Sequence, residues 1–415
     1  MSSISVRRLV ADDIPAVVEM VNRVGCGGPL TPQIWEAMEA QDHVTYLACD
    51  DDDVVGALPL TMRDLVISPG LAVRAAFAHM VSVEESHRGA GLGSRLMRES
   101  LRALGHTCDM VCVYIGREGR APYRFYERAG YRDLMYVYRY DALAEYQSDG
   151  ERVRFYPAGE VRALSSDLLR CFTSCYPRQA GFPFREAGFW HRALRSVIFD
   201  QGPKPVGLLA LPADGRMEGY ALLAREGSLL SIMELATRNA DANVARRLLR
   251  GARGIAQKEG LERVIIYCSV KYPFVNVLEE LGWERGSREV RSSPANAESA
   301  DVSETHRILC ARVLDVKGVA QRSWPDDDDP EGVSLRVWTS STGPVMLHTS
   351  APNGRSVNLE MKEETLQRLV LRRLHLGQSI EAELVTVQSG TPYDIDVVAQ
   401  RFSPSPWMYF ELDFI

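Results

Sequence analysis

Between residues 1 and 147, the apolar positions alternate between a spacing of two and a spacing of about 3.6 residues, which predicts strands and helices in turn. The segment TYLACDDDDVVGALPL favours two strands around an acidic turn at residues 50–53. RAAFAHMVSV (residues 74–83) and DMVCVYIG favour two further strands, and helical spacing is found in ADDIPAVVEMVNRV, TPQIWEAMEA, SRLMRESLRALG and PYRFYERAGYRD. This order of elements indicates an α/β unit with a parallel or mixed sheet.

The same order of patterns recurs after residue 200. LLALPADGRMEGYALLA, SLLSIMELAT, VARRLLRGARGIAQKEG, ERVIIYCS and PFVNVLEELGWERG follow one another as their counterparts do, which indicates an internal duplication. The second copy has TRNADAN where the first has RGAGLG. It has Leu278 before Gly282 where the first has Tyr126 before Gly130. We therefore expect the second copy to keep the scaffold and to lack the site.

A polar stretch, SREVRSSPANAESADVSET, separates this repeat from the last segment and is typical of a linker or long loop. The last segment has the alternating strands VSLRVW and SVNLEM and a helix over EETLQRLVLRRLHLG. It ends in FSPSPWMYFELDFI, whose apolar surface favours docking over exposure to water. The patterns predict three domains at residues 1–147, 148–292 and 293–415.

Composition narrows the possible partners. The 415 residues suit two or three domains, and a formal net charge of -7 without a basic block argues against nucleic-acid binding and slightly favours a cationic small substrate. No apolar run is long enough to span a bilayer and no signal-peptide core is present, so we expect no membrane partner and a cytoplasmic location. The eight cysteines have no CxxC pair, which predicts reduced thiols and no metal site.

The stretch HRGAGLGSRLMRES places glycines at positions 89, 91 and 93 between a strand and a helix. Unpaired amides and the helix dipole at such a point suit a diphosphate, and glycine lets it approach closely. The spacing is neither the G-x-G-x-x-G of a dinucleotide fold nor a P-loop. From the loop alone, phosphate binding and a plain tight turn both remain open.

The position of the glycine loop and the motifs around it extend this interpretation. Arg88, Gly91 and Gly93 match the pattern Q/R-x-x-G-x-G/A, and Phe125 and Tyr126 match the aromatic pair before A-G-[YF]. The first domain thereby resembles the GNAT family of acyl-CoA N-acyltransferases. The resemblance implies that acetyl-CoA is the cosubstrate and that main-chain groups of Val81 and Val83 hold its pantetheine. It places the diphosphate over residues 88–94, with Arg88, Gly89, Gly91, Leu92, Gly93 and Ser94 as the binding residues.

Acetyl transfer needs an unprotonated amine, a stabilised oxyanion and a proton for the departing thiolate. An amide N–H near Val81 would serve the oxyanion. Tyr126 is protonated at neutral pH and would serve as the acid; alone, it would equally fit a core aromatic whose hydroxyl bonds an inert partner. His79 is a candidate base, with a satisfied strand histidine as the other interpretation.

The whole chain is similar to the Eis-type acetyltransferases. The similarity implies an α/β (α+β) architecture of two tandem GNAT-fold domains, the second degenerate, followed by a sterol-carrier-protein-like α+β domain. It also implies that the C-terminus enters the first active site, so that the carboxylate of Ile415 acts as base beside Tyr126. The chain ends in DFI where those relatives end in an aromatic residue, and simple hydrophobic docking of the tail is the alternative.

Further roles follow from the same similarity. Trp35 corresponds to an aromatic wall of the amine pocket, although a core position would account for it as well. Glu411 and Asp413 would bring negative charge near a cationic amine. Such relatives are usually hexameric, so the similarity implies a homo-oligomer.

Together these patterns predict an acetyl-CoA-dependent N-acetyltransferase that acts on a primary amine of an aminoglycoside-like molecule, a polyamine or a lysine. The competing hypothesis is a lipid- or small-ligand-binding protein that uses the sterol-carrier-like domain, with the GNAT domains as scaffold. Residue types alone leave longer acyl groups possible. The intact RGAGLG and Tyr126 favour the enzyme, because a scaffold would have been free to lose them as the second copy did.

Overall fold

The computed structural model describes residues 4–25, 30–39, 42–105, 107–115, 121–145, 153–186, 188–190, 193, 204–213, 216–286, 306–324, 331–340, 343–349, 354–410 and 413. Within them, a 14-stranded mixed sheet runs through both repeats, and a separate four-stranded sheet belongs to the last segment. No helix in this part of the chain combines the length and the apolar character needed to cross a bilayer.

The first repeat has the predicted order of elements. They are β1 (Ile4–Arg8), α1 (Ile14–Val24), α2 (Pro32–Glu39), β2 (His43–Asp50), β3 (Asp53–Ser68), β4 (Leu71–Ala78), β5 (Ser82–Val83), α3 (Leu92–Leu104), β6 (Met110–Ile115), α4 (Ala121–Arg128) and β7 (Arg132–Leu143). The acidic turn joins β2 to β3 as predicted, because Asp50 pairs with Asp53. The strand predicted over residues 74–83 is instead two strands, since Met80 takes a left-handed φ of 47° and breaks the ladder.

The second repeat copies this order. Its elements are β8 (Arg154–Pro157), α5 (Ser165–Cys175), β9 (Lys204–Ala213), β10 (Arg216–Glu226), β11 (Leu229–Thr237), α6 (Ala242–Lys258), β12 (Arg263–Ser269), α7 (Val275–Glu280) and β13 (Glu284–Arg285). In each repeat a hairpin leads to a strand that pairs in parallel with the strand after the helix, at Ala75 with Met110 and at Leu229 with Arg263. The predicted duplication of the αβ unit is confirmed.

The last segment contributes β14 (His306–Val313), α8 (Val316–Ser323), β15 (Val333–Thr339), β16 (Gly343–His348), β17 (Arg355–Met361), α9 (Glu363–Val370), α10 (Leu376–Glu381), β18 (Val385–Ser389) and α11 (Pro392–Arg401). The single helix predicted over EETLQRLVLRRLHLG is two helices. Arg372 has a left-handed φ of 57°, and the N–H groups of Arg372 and Arg373 bond the carbonyls of Leu369 and Arg368. This Schellman arrangement ends α9.

Strands cross the predicted domain limits. The large sheet has the order β1-β2-β3-β4-β6-β14-β7-β12-β11-β10-β9-β8. β7 of the first repeat therefore pairs with β12 of the second, and β14 of the last segment lies between β6 and β7. The remaining strands of the last segment form the small sheet β16-β15-β17-β18. Because the sheet joins all three parts, the division at residues 147 and 292 stays a prediction.

Strand alternation divides the core of the first repeat into two layers. On β2 and β3, Leu47 and Ala57 are buried against α1 and α2, whereas the neighbouring Ala48 and Leu58 are buried with residues of α3. The sheet is therefore covered on both faces. The N-terminus of α3 lies at its edge beside β5, where the site described next is found.

Candidate active site

The loop between β5 and α3 presents backbone amides to open space. Gly89 and Gly91 have φ angles of +81° and +82°, a left-handed conformation that favours glycine. A Cβ on either glycine would meet no atom of the described chain within 4 Å. Gly91 is the N-cap of α3 and supplies no side-chain cap. The start of α3 therefore offers N–H groups and a partial positive charge to an anion.

The other predicted anion-binding residues offer different groups. Leu92 is buried in the core, so that only its main chain can take part, whereas Arg88 and Ser94 are exposed. The Nε of Arg88 donates to the carbonyl of Val83 at 3.0 Å. This bond ties the loop to the end of β5 and leaves the terminal guanidinium nitrogens of Arg88 at the surface.

Gly93 brings three elements together. A Cβ at this position would lie 3.4 Å from the ring of Phe125 on α4 and 3.7 Å from Cγ2 of Val83 on β5. These are ordinary van der Waals distances, so α3, α4 and β5 meet at this position within the reach of a single methyl group. The aromatic pair Phe125–Tyr126 therefore lies beside the loop.

The sheet opens next to this loop. Parallel pairing between β4 and β6 ends at Ala78 and Val113, and β5 pairs with β3 instead. Because the N–H of Glu84 donates to Val55 at 3.0 Å, the alternation of an antiparallel ladder directs the main-chain groups of Val83 away from β3. Val81, between the two strands, and Val83 thus lie along the opening between β5 and β6.

Tyr126 lies at the inner end of this group. Its side chain is 8% exposed, and its ring meets those of Phe125 and Tyr131 edge to face, with centroids 5.1 and 5.3 Å apart. The Tyr131 hydroxyl donates to the Met97 sulfur at 3.4 Å. Burial and the adjacent Tyr126 raise the pKa of Tyr131 well above its usual value. Tyr126 is therefore held rigidly by aromatic packing.

A histidine pair lies before Met80, with His43 at the start of β2 and His79 directly after the end of β4. His79 Nε2 lies 3.0 Å from Thr61 Oγ1, and the His43 ring lies 5.2 Å from the His79 ring and contacts the same hydroxyl. Burial and the Arg63 guanidinium lower the pKa of His79 to about 4. Burial, then His79 and Arg63, lowers the pKa of His43 to about 2. Both imidazoles are neutral at pH 7 and hydrogen-bonded, so His79 is a weak base held in place by Thr61.

The C-terminal tail reaches the end of β6. The ring of Tyr409 lies 5.1 Å from that of Tyr114, and its hydroxyl accepts a hydrogen bond from Arg307 at 2.7 Å. Burial, Tyr409 and Asp413 together raise the pKa of Tyr114 well above its usual value. The tail thus lies beside β6, next to the strand opening. Of the predicted tail residues, Glu411 and Ile415 lie outside the described residues.

Asp413 belongs to a buried charge cluster. Its carboxylate contacts Arg185 at ion-pair distance without the geometry of a hydrogen bond, and Arg185 donates to Glu234 at 2.7 Å. Glu234 also accepts from the Trp190 indole and the Tyr220 hydroxyl, both at 2.6 Å. Burial raises the pKa of Asp413 to about 7; Arg185 opposes the rise and Glu234 adds to it. Asp413 is therefore held by Arg185 within the protein.

Trp35 lies in the core. Its side chain is 0% exposed, and it packs in the cluster that α1 and α2 form with β2 and β3, beside Val17, Met20 and Leu47. This position differs from the open pocket wall expected from the sequence, because α2 turns the indole towards the sheet. Packing accounts for Trp35, and a role in amine binding stays a prediction.

The equivalent region of the second repeat is closed. Asp241 is the N-cap of α6, and its carboxylate accepts from the amides of Asn243 and Val244 at 2.7 and 3.1 Å. The hydroxyls of Tyr176 and Tyr272 both donate to the carbonyl of Leu235 on β11. The second repeat thus uses its own side chains where the first leaves amides and an opening.

Several site residues escaped prediction. Arg185 and Glu234, and the group of His43, Thr61 and Tyr114, were not singled out. Glu234 had a signal, since a charged residue inside the otherwise apolar strand SIMELAT indicates a buried partner. The others come together only through the sheet and carry no local pattern.

Comparison with known proteins identifies the first repeat. Residues 5–133 match the family model of the acetyltransferase (GNAT) domain. The first repeat is a GNAT domain. The predicted acyltransferase enzyme is thereby confirmed, and GNAT domains use acetyl-CoA as cosubstrate. The competing hypothesis of a binding protein is not favoured.

Solved structures resemble the chain over nearly its full length. A GCN5-related N-acetyltransferase from Kribbella flavida is 16% identical, with 98% of this chain and 97% of that chain covered and a TM-score of 0.63. One from Anabaena variabilis is 13% identical, with 98% and 100% covered and a TM-score of 0.66. Eis1 from Mycobacterium abscessus is 15% identical, with 97% and 98% covered and a TM-score of 0.59. At these identities the likeness concerns the fold alone. No curated protein matches the sequence.

Proposed function

We propose that the chain transfers an acetyl group from acetyl-CoA to a primary amine of an aminoglycoside-like molecule, a polyamine or a lysine. In this reaction the amine nitrogen bonds to the acetyl carbon and the carbon–sulfur bond breaks. The amine gives up one proton, and the departing sulfur receives one. Acetyl-CoA would supply the activated thioester.

The observation that carries the proposal is the open N-terminus of α3. Uncapped amides, two left-handed glycines and free space above them fit the diphosphate of a coenzyme. Beside this loop, Val81 and Val83 pack against the cluster that contains Tyr126, and the tail contacts Tyr114 on β6. Val81 and Val83 are the residues whose main-chain groups would hold the pantetheine, and the Val81 amide would stabilise the oxyanion.

Tyr126 is proposed as the acid. A phenol is protonated at neutral pH, and rigid packing against Phe125 and Tyr131 would hold its hydroxyl towards the sulfur. The carboxylate of Ile415 is proposed as the base. Glu411 would add negative charge for a cationic amine, whereas Asp413, whose carboxylate is buried against Arg185, would do so only from within the protein. Trp35 is proposed as an aromatic wall of the amine pocket.

The remaining proposals concern the rest of the chain. A sterol-carrier-like fold is proposed for the last segment, a hexamer for the assembly and the cytoplasm for the location. Their only support is the sequence similarity stated above.

Two measurements on the full-length chain test the function. Acetyl-CoA at a hundredfold excess over its dissociation constant should stabilise the fold by about 2.7 kcal/mol, seen as a rise in Tm. A thiol-release assay over a panel of amines should then show turnover with at least one class. No rise in Tm would reject acetyl-CoA binding, and a rise without turnover on any amine would reject amine acetylation.

A further inference from the structure

The two repeats can be compared position by position when the first residue pairs of their parallel ladders are aligned. Ala75 pairs with Met110 in the first repeat, and Leu229 pairs with Arg263 in the second. Counting along the strands from these pairs, Glu234 of β11 corresponds to Met80 at the strand break, and Leu235 corresponds to Val81. Glu234 therefore lies where the first repeat opens its sheet.

The tail crosses this part of the second repeat. Ala180 donates to the carbonyl of Pro406 and accepts from the N–H of Met408, at 2.8 and 2.7 Å. Met408 and Phe410 are buried in the core of the second repeat, whereas Trp407 and Tyr409 are buried with residues of the first repeat and the last segment. The tail is an extended segment whose side chains alternate between two cores.

The segment that contains Ala180 also contacts the first repeat. Gly181 donates to the carbonyl of Val66 at 2.8 Å, and Val66 donates to that of Phe182 at 2.9 Å. Residues 180–184 thus join β3 of the first repeat to the tail. The tail is fixed on one side by this segment and on the other by the aromatic contact between Tyr409 and Tyr114.

Arg185 directly follows residues 180–184 and places a positive charge next to the tail. Its side chain is 2% exposed and lies between the carboxylates of Glu234 and Asp413, both completely buried. The guanidinium also lies 3.6 Å from the ring centre of Phe189 and 4.8 Å from that of Phe172, and the Phe410 ring of the tail is 5.8 Å away. One buried cation therefore serves one carboxylate from the second repeat and one from the tail.

We propose that the closed site of the second repeat is a receptor for the chain's own C-terminal segment, and that Arg185 is a positioning residue that holds Asp413 and thereby places the tail beside the active site of the first repeat. This inference rests on the proposed function for its effect on acetyl transfer, but not for the anchoring itself. It gives the second repeat, whose described residues show no open coenzyme site, a direct role in the reaction of the first.

Charge balance explains why Arg185 is required. Glu234 keeps two neutral donors, Trp190 and Tyr220, when Arg185 is removed. Asp413 has no hydrogen-bond partner among the described residues, and Arg185 is the cation in contact with it. Without that cation, a buried carboxylate next to Glu234 would be unpaired, and a terminal segment can escape this cost by leaving the site.

Protonation of the Asp413 carboxyl makes docking of the tail depend on pH, which packing alone would not do. The ordinary pKa of 3.8 rises to about 7 when Asp413 is docked; Arg185 and Arg63 oppose the rise, and burial and Glu234 cause it. The docked carboxyl holds its proton more tightly, so docking is strongest below pH 3.8 and weakens as the pH rises to 7. Tyr114, which also faces this carboxyl, remains protonated throughout.

The test uses the full-length chain and three measurements: hydrogen exchange of the peptide around Met408, acetyl-CoA affinity, and the rate of acetyl transfer. Asp413→Lys places a second cation beside Arg185 at the end of the chain, where the folding of the body is least disturbed. Arg185→Met is the reciprocal change. Arg170→Met, in the exposed Arg170–Asp167 pair on α5, is the matched control.

At pH 8, where the Asp413 carboxyl is ionised, we expect Asp413→Lys and Arg185→Met to speed exchange in the tail and to lower acetyl transfer, each by at least about tenfold, because a buried charge loses its partner. Acetyl-CoA affinity should stay within about twofold, since the α3 loop is untouched. Asp413→Asn should keep the tail docked. It should also remove the difference in wild-type tail exchange between pH 5 and pH 8, which is measured after correction for intrinsic rates.

Each outcome decides the inference. Unchanged tail exchange in Asp413→Lys would overturn the anchor, even if Arg185→Met did not fold. Faster tail exchange with unchanged acetyl transfer would overturn the positioning role. If the wild type acetylated no amine while the variants still released the tail, the proposed function would fail and the receptor for the tail would stand.

Discussion

The N-termini of α3 and α6 lie at equivalent points of the two repeats. They differ in whether a side chain of the protein accepts hydrogen bonds from their free backbone amides. At α6 the carboxylate of Asp241 accepts from two first-turn amides, whereas α3 begins at Gly91 without a side-chain cap. A helix start whose donors the chain itself satisfies has little left to offer a diphosphate, and the Asp241 charge would repel one. From this comparison we expect the cap to be one of the features that govern anion binding at this point of the fold.

The backbone turn survives only in part in the second repeat, because Asp241 at the N-cap of α6 has a φ of −65° where Gly91 has +82°. Asn239 and Ala240 have left-handed φ angles of 53° and 54° without being glycine. The Asn239 side chain accepts from the Ser174 hydroxyl at 2.9 Å, which fills space that stays open over Gly89 and Gly91. Glycine in the first repeat therefore matters for the space it leaves as well as for the conformation it allows.

The largest expected effect concerns Tyr126, which the second repeat replaces by Leu278. Tyr126→Phe should lower kcat by about 10²–10⁴, because the proton for the departing sulfur is no longer supplied. Acetyl-CoA affinity should not change. Tyr131→Phe is the control, since its hydroxyl contacts only the Met97 sulfur among the described residues. Thiol-release kinetics measure both variants, and full turnover in Tyr126→Phe would exclude it as the acid.

The next largest effect is expected when the aspartate of the second repeat is introduced at the equivalent position of the first. Gly91→Asp should weaken acetyl-CoA binding by at least about tenfold, since a carboxylate at the N-cap position repels the diphosphate from the α3 amides. Gly91→Ala carries the same backbone strain at a φ of +82° without the charge, and should weaken binding less. Calorimetric titration separates the two. Equal affinities of both variants would contradict the role of the cap.

The smallest effect is expected for the reverse change, which removes the aspartate cap from the second repeat. Asp241→Ala should lower the free energy of unfolding by about 1 kcal/mol through loss of the cap on α6. It should not create a second coenzyme site, because Tyr176 and Tyr272 still occupy the Leu235 carbonyl. Denaturant unfolding gives the first value and titration the second. Two acetyl-CoA molecules bound per chain would show that the cap alone had closed the repeat.

The repeat and the glycine loop could be predicted from sequence because both are local. Apolar spacing predicts β2, α3 and β6, and the run RGAGLG marks an exposed turn wherever it lies. The Schellman turn at Arg372 and the strand break at Met80 were missed, since both put non-glycine residues into a left-handed conformation. Tertiary packing overrides the local preference at those points.

The candidate site was only partly predictable for a different reason. Arg185, Glu234 and Asp413 are up to 228 residues apart in the sequence and meet only because the tail is laid across the second repeat. The pair of His43 and His79 meets because β2 and β4 flank β3. Trp35 could not be assigned from spacing, since the same helical pattern suits a pocket wall and a core position. The pairing of β7 with β12 has no sequence signal either, and neither does the insertion of β14 between β6 and β7.

A crystal structure of the chain with coenzyme A tests the central claim most directly. The account predicts one coenzyme molecule per chain, with its diphosphate within hydrogen-bond distance of the amides at the start of α3 and none at the start of α6. A diphosphate bound at α6, or anywhere away from residues 88–94, would contradict it.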